Sequence, residues 1–278
     1  MKTKTYQESI KDHLGAYKDL HFSGMENGVW KRNEKRYSFS HILPIEHKYE
    51  NLFDSDCELF LKQNRSIKLH QYFHHLNSSQ AMCLNFFYPL IKEKKLDTVL
   101  SAIGLKNEAI NYDSACFEKE SDVEKNRRAT SFDFYFETLS GKRIFFEIKY
   151  TEQEFGKAKN DNEHREKYES VYSKHCSSIN NDYCNRDSFL KNYQLMRNVI
   201  HVSEKDYVVF VYPIGNKKIK QQAEFAKHVI VKPEFQSHVI CLTWEHLLRV
   251  VDDSVMKSDN MTKQISDFKE KYNIIPNN

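Results

Sequence analysis

The sequence predicts an α/β fold: a mixed central β-sheet flanked by helices, with a helical extension at its N-terminal end. Three observations carry that prediction. Gly (7) and Pro (5) are scarce among 278 residues, which disfavours a turn-rich all-β chain and favours long helices. SFDFYFETL and KRIFFEIKY, within residues 131–150, read as consecutive strands. Further strand-sized apolar runs, YVVFVYP (207–213) and HVICLTW (238–244), alternate with amphipathic helical patterns. That order is the order of a sheet with helices on its faces.

Composition bounds the class. Apolar residues make up 40%, charged residues 29% and aromatic residues 13%, with 16 Tyr and 19 Phe. A chain of this kind is globular, not disordered. The expected division is an extension over 1–77 and one compact unit over 78–278. A net charge of +3 permits a nucleic-acid partner without demanding one. No apolar run approaches the roughly 20 residues of a membrane span, so no membrane association is expected. MKTKTYQESIKDHLGAY lacks the apolar core of a secretory signal, which points to the cytoplasm. The six Cys contain no C-x-x-C pair, and reduced thiols are expected there. Metal ligation by His175, Cys176 and Cys184 is the alternative, on a spacing that fits no standard zinc pattern.

The elements follow in order. Residues 1–56 are polar and aromatic, with GMENGVW at 24–30 as a loop. Residues 57–76 carry a helical pattern at Leu59, Phe60, Phe73 and Leu76. Asn77-Ser78-Ser79 offers an N-cap to a helix with Met82, Phe86, Phe87, Leu90 and Ile91 near i, i+4, i+8 spacing. LDTVLSAIG is a second helix that closes at Gly104. From about 108 the period becomes that of strands. NEAINYDSACFEKE is the first. After SDVEKNRR, the next strand places Phe132, Phe134 and Phe136 on one face and Asp133, Tyr135 and Glu137 on the other. KRIFFEIKY is the third. Residues 157–187 are helical in their first half and loop in their second. Asp187-Ser188 caps a helix over 188–201, with Phe189, Leu190, Tyr193, Met196, Val199 and Ile200 on its apolar face. Lys191, Gln194 and Arg197 lie on its polar face. A strand at 207–213, a helix near 217–228, a strand at 238–244 and the helix EHLLRVV complete the chain.

Hydrophobic matching fixes a register. Phe132, Phe134 and Phe136, like Ile144, Phe146 and Ile148, are even-numbered. Opposed residues of an antiparallel pair share a face, so the connecting loop must be odd in length. Leu139-Ser140-Gly141 fits, with Gly141 in the left-handed position such loops need. This pairs Thr138 with Lys142, Phe136 with Ile144 and Phe134 with Phe146, and sets Asp133 opposite Glu147 at a Cβ separation of roughly 4.5–5.5 Å. Lys149 projects from the same face as Glu147.

Opposed carboxylates repel unless a proton, a lysine or a divalent cation offsets them. A hard cation such as Mg²⁺ takes oxygen ligands, polarises a phosphoryl oxygen and acidifies a bound water. A neighbouring ammonium orients that water or stabilises developing negative charge. The plainer alternative is that Lys149 simply neutralises Asp133 and Glu147 on a solvent-facing strand.

Asp133 followed by Glu147-Ile148-Lys149 at the end of the next strand resembles the PD-(D/E)XK nuclease superfamily, whose fold is restriction-endonuclease-like. The element order resembles its αβββαβ core. RRATSFDFYFETLSGKRIFFEIKYTEQEFG (127–156) is particularly similar to a bacterial branch of nuclease-like proteins with an ExKYTExEFG-type signature. The resemblance covers 78–250 and is specific across 130–156. It departs at Phe132, where the superfamily often has Pro. It implies a Mg²⁺-dependent phosphodiesterase (Mn²⁺ serving as substitute) acting on DNA, with RNA left open. In it Asp133, Glu147 and the Ile148 carbonyl would bind the metal, and Lys149 would position the water. An upstream acid is also implied: Glu118 is the candidate and Glu108 its rival. Gln194 is a candidate for the polar residue supplied by the following helix, and Arg197 for a phosphate contact. Arg127, Arg128, Lys157 and Lys159 are candidate backbone contacts, each of which reads equally as solvated charge. Thr151 with Glu154 reads as a capping box of the next helix. Double-strand cutting by one site per chain would imply a homodimer.

Two other readings remain. One is a catalytically silent nucleic-acid-binding module on the same fold. The other is a hydrolase using Asp133 and Glu147 as an acid/base pair, as in retaining glycosidases, which leaves Lys149 without a role.

Overall fold

A computed structural model of the chain describes residues 4–124, 129–255 and 259–276. Among these residues the chain divides into two compact units, 1–102 with 244–278, and 103–243.

In chain order, the first unit begins with α1 (Tyr6–His21), closed at its N-terminus by a Thr5–Glu8 capping box. A two-stranded ribbon follows, β1 (Val29–Arg32) and β2 (Lys35–Ser38), with Asn33 supplying the positive φ of 54° at the turn. α1 is the helix of the expected N-terminal helical extension; the ribbon was not legible in 1–56. Next comes α2 (Ser55–Gln63). The helical pattern expected over 57–76 ends there: Phe73 and Leu76 are buried from turns, and Leu59 is 54% exposed. α3 (Ser79–Lys92) starts as expected, with the Ser78 hydroxyl accepting from the Ala81 amide. α4 (Asp97–Ala102) is the short helix before Gly104 (φ 80°).

The second unit holds a five-stranded mixed sheet among the described residues, in the order β3-β4-β5-β6-β7. β3 (Ile110–Glu120), β4 (Ser131–Thr138) and β5 (Arg143–Ile148) form an antiparallel meander. α5 (Asn162–Ser170), α6 (Arg186–Lys191) and α7 (Tyr193–Val199) cross over to β6 (Asp206–Tyr212), which lies parallel to β5. Arg143 donates to both carboxylate oxygens of Asp206, at 2.6 and 2.8 Å, and so pins that parallel register at its start. Every residue of β6 is buried, which is why it reads as one apolar run. α8 (Lys217–Phe225) leads to the parallel strand β7 (Val239–Thr243). The chain returns to the first unit as α9 (Trp244–Val255) and α10 (Asp259–Tyr272).

Four local expectations are corrected. The helix expected over 188–201 is two helices broken at Asn192. At the break the extended segment 156–158 bonds in: Gln194 N–H donates to the Gly156 carbonyl and Ala158 N–H to the Leu190 carbonyl. No helix begins after Thr151, so the expected capping box has no helix to close. Instead Asn216 Nδ2 donates to the carbonyls of Tyr150 and Glu152 (3.0 and 2.9 Å), which holds that segment out of a helix. The next helix begins at Asn162, capped by Asp161. Cys176 and Cys184 are joined in a disulfide with Cα atoms 5.9 Å apart. They are therefore neither thiols nor metal ligands; Cys57, Cys83, Cys116 and Cys241 are free. Finally, β4 does not alternate strictly. The Phe132 ring lies tilted against Phe145 (centroids 4.8 Å apart) and joins a core with Tyr135, Val208 and Phe210. Phe134, Phe136 and Phe146 contact one another instead. The strand switches faces at Asp133.

Candidate active site

The β4–β5 hairpin has the register that hydrophobic matching predicts. Phe134 pairs with Phe146 and Phe136 with Ile144. The Thr138 amide donates to the Lys142 carbonyl at 2.9 Å, and Gly141 has φ 83°. The paired ladder stops at Phe134–Phe146, one step before Asp133 and Glu147. There the Asp133 side chain takes over from the backbone: its Oδ2 accepts from the Ile148 amide at 2.6 Å.

On the other side of β4, Phe117 pairs with Phe134 and Lys119 with Phe132. Glu118 lies between these pairs, opposite Asp133. Its backbone is left-handed (φ 53°), a conformation that costs a non-glycine residue roughly 1–3 kcal/mol. The Ser131 hydroxyl donates to Glu118 Oε2 at 2.8 Å. Glu118, Asp133 and Glu147 thus form one row across three strands, at the point where β4 switches faces. Glu108, the rival, is elsewhere: it binds Lys142 at 2.7 Å and Ser140, at the hairpin end.

Glu147 is buried, at 4% exposure. Its Oε1 lies 2.8 Å from Lys149 Nζ and accepts from Gln194 Nε2 at 2.7 Å; its Oε2 accepts from Asn198 Nδ2 at 3.1 Å. Lys149 is 7% exposed, and its ammonium sits 5.1 Å from the centre of the Phe155 ring. The strand face carrying this pair is therefore covered, not solvent-facing as the plain neutralising alternative requires.

The electrostatics follow from that burial. Asp133 is pushed well above the usual carboxylate range by desolvation first, then by the negative charges of Glu147 and Glu118. Desolvation works against the Lys149 charge, but Glu147, Glu152 and Asp133 outweigh it and raise its pKa. The Asp133 carboxyl therefore attracts positive charge beyond what the lysine supplies. Oxygen donors with excess negative charge suit a hard cation, so Asp133, Glu147 and the Ile148 carbonyl fit Mg²⁺ by donor chemistry. Among the described residues no group of three or more His, Cys, Asp or Glu is already arranged to hold a metal.

Gln194 is brought against the Glu147 carboxylate. It is held from behind, its Oε1 accepting from the Gly156 amide at 3.0 Å. Asn198 was not foreseen, although one helical turn from Gln194 on YQLMRN places it on the same face. Arg197 is turned away: its Nε and Nη2 bind Glu124 at 3.0 and 2.9 Å. Lys157 pairs with Glu154 on the surface at 3.0 Å, and Lys159 is exposed. Arg127 and Arg128 lie outside the described residues. Glu152 accepts from the Tyr150 amide at 2.6 Å.

A meander continued by parallel strands, with an acid pair and a lysine where one pairing gives way to the other, defines a restriction-endonuclease-like protein. Residues 11–273 match the family described as restriction endonuclease associating with ARP, and the chain belongs to that family. No curated protein and no solved structure matches it. Among the described residues no helix is long and apolar enough to cross a membrane.

Proposed function

We propose that this chain is a metal-dependent nuclease that hydrolyses phosphodiester bonds, acting on DNA as an endonuclease. The observation that carries the reading is the row of Glu118, Asp133 and Glu147 closed by Lys149, in a chain of restriction-endonuclease family. Mg²⁺, or Mn²⁺ in its place, would be held by Asp133, Glu147 and the Ile148 carbonyl, and when bound it polarises the phosphoryl oxygen and acidifies a water. The chain's own residues do the rest. Gln194 and Asn198 fix the Glu147 carboxylate, and the Ile148 amide fixes Asp133. The Lys149 ammonium orients the attacking water and stabilises the negative charge that develops on the phosphoryl oxygens. Glu118 adds a third carboxylate to the row.

Supercoiled plasmid, single-stranded DNA and single-stranded RNA, each incubated with Mg²⁺, with Mn²⁺ and with chelator, test the proposal. Metal-dependent cleavage of DNA at internal positions is the expected result. Linear plasmid appearing without a nicked precursor would support paired action by two copies. Absence of cleavage in every arm, with nucleic acid still bound, would establish a catalytically silent binding module instead.

A further inference from the structure

The β1–β2 ribbon carries chemistry that the carboxylate site does not use. Trp30 pairs with Tyr37, Lys31 with Arg36 and Arg32 with Lys35. Opposed residues share a face, so one face presents Trp30, Tyr37, Arg32 and Lys35, and the other presents Lys31 and Arg36. The Trp30 and Tyr37 rings lie 5.9 Å apart, and Phe39 joins them at 6.3 and 6.4 Å. The Arg32 guanidinium is 5.8 Å from the centre of the Trp30 ring.

Aromatic rings ordinarily end in cores. Here Tyr37 is 40% and Phe39 38% exposed. Every residue of the two strands except Trp30, which is partly buried, is exposed. The ribbon is nonetheless anchored. The Gly28 amide donates to the Ile42 carbonyl at 2.8 Å, and a Cβ at Gly28 would fall 2.0 Å from the Leu43 carbonyl oxygen. Four cations face a single acid, Glu34 at the turn. None of the four is in an ion pair among the described residues. A clustered, exposed aromatic surface marks a binding site more often than chance, and this one is ringed by positive charge.

We propose that this face binds single-stranded DNA. Exposed rings can stack only on bases whose faces are open, which duplexes hide and single strands offer. Arg32 and Lys35 flank the rings where the phosphates of a stacked strand run, and Lys31 and Arg36 extend the positive field to the opposite face. The ribbon is a grip on nucleic acid additional to the carboxylate site; only the choice of DNA over RNA rests on the nuclease reading.

The test is binding of oligo(dT) by the full chain in chelator, where no metal-dependent cleavage can occur. The chain has two tryptophans, and Trp244 is fully buried, so quenching on titration reports Trp30. Trp30→Ala and Tyr37→Ala are each expected to weaken binding roughly tenfold, the scale of one stacked base, as read by anisotropy of labelled oligonucleotide. Trp30→Phe, which keeps a ring, is expected to retain binding and lose the quench, and so guards against mere loss of the ribbon. Arg32→Gln with Lys35→Gln is expected to flatten the dependence of log affinity on log salt by about 0.7 per charge. Unchanged affinity in both alanine variants would overturn the proposal. Tighter binding to duplex of the same length, to oligo(U), or to anionic vesicles would overturn it as well. A chain that binds through the ribbon but never cuts overturns only the nuclease reading; one that cuts with its ribbon variants binding normally overturns only this one.

Discussion

Lys149 Nζ lies 2.8 Å from Glu147 Oε1, and both side chains are buried. Removing one partner of such a pair strands the other charge, at roughly 3–5 kcal/mol. Glu147→Ala is therefore expected to lose stability as well as cleavage. Glu147→Gln keeps the volume and accepts from Lys149 still, so it separates the two effects: metal-dependent cleavage is expected to fall below detection while thermal unfolding shifts less than in the alanine variant. Wild-type cleavage by Glu147→Gln would remove Glu147 from the chemistry.

Asp133 is the opposite case. Its carboxyl is strained by desolvation and by two neighbouring carboxylates, Glu147 and Glu118. Asn keeps an oxygen to accept from the Ile148 amide and removes the repulsion. Asp133→Asn is expected to abolish cleavage and, without metal, to raise stability by about 1 kcal/mol, the trade between activity and stability common at functional sites. Calorimetric unfolding of both proteins in chelator measures it. Lower stability in Asp133→Asn would show that the carboxylates are not mutually repulsive.

The contrast between these residues shows what could be read from sequence. Strict parity of the phenylalanines gave the hairpin register, because a one-residue slip would expose a whole apolar face. β6 was legible as a strand for another reason: buried at every residue, it reads as one unbroken apolar run. The face switch at Asp133 was not: it lies opposite the left-handed backbone of Glu118 on the neighbouring strand, and Glu has no sequence signature for that conformation. The break at Asn192 was also hidden: it comes from a segment more than thirty positions earlier, whose Gly156 carbonyl accepts from Gln194. Asn198 was in view on the same helix turn as Gln194 but was passed over among apolar neighbours. The β1–β2 ribbon was missed because alternation with polar residues on both faces gives no buried stripe to detect.

Gln194 and Asn198 grip opposite oxygens of Glu147. Partners that orient a metal-binding carboxylate typically contribute 10–100-fold to metal affinity or activity. Asn198→Leu is expected to lower cleavage by about that factor and to raise the Mg²⁺ concentration needed for half-maximal rate. Gln194→Ala is expected to do the same and to free the Gly156 amide. Metal titrations of both variants decide it. A reduced rate at unchanged metal requirement would place these residues in the scaffold alone.

Glu124 supplies the pH dependence. Its carboxyl is almost fully buried and accepts from Arg197, Lys167 and Thr130. Desolvation would raise its pKa, but these donors outweigh it and hold the group down at about 2, against an ordinary 4.5. The folded state then binds fewer protons than the unfolded state between those values. The stability contributed by Glu124 is present above pH 4.5 and is lost as pH falls toward 2. Glu124→Gln is expected to be less stable than wild type at pH 7, because the largely buried Arg197 and Lys167 lose their counter-charge, and the gap is expected to close as pH falls through that window. Arg197 belongs to α7, the helix that also carries Gln194 and Asn198, so the same substitution is expected to lower cleavage at pH 7 by loosening the grip on Glu147. Unfolding curves of both proteins at pH 7 and pH 3 give the sign. A gap equal at the two values would mean that the Glu124 cluster is not held together by charge.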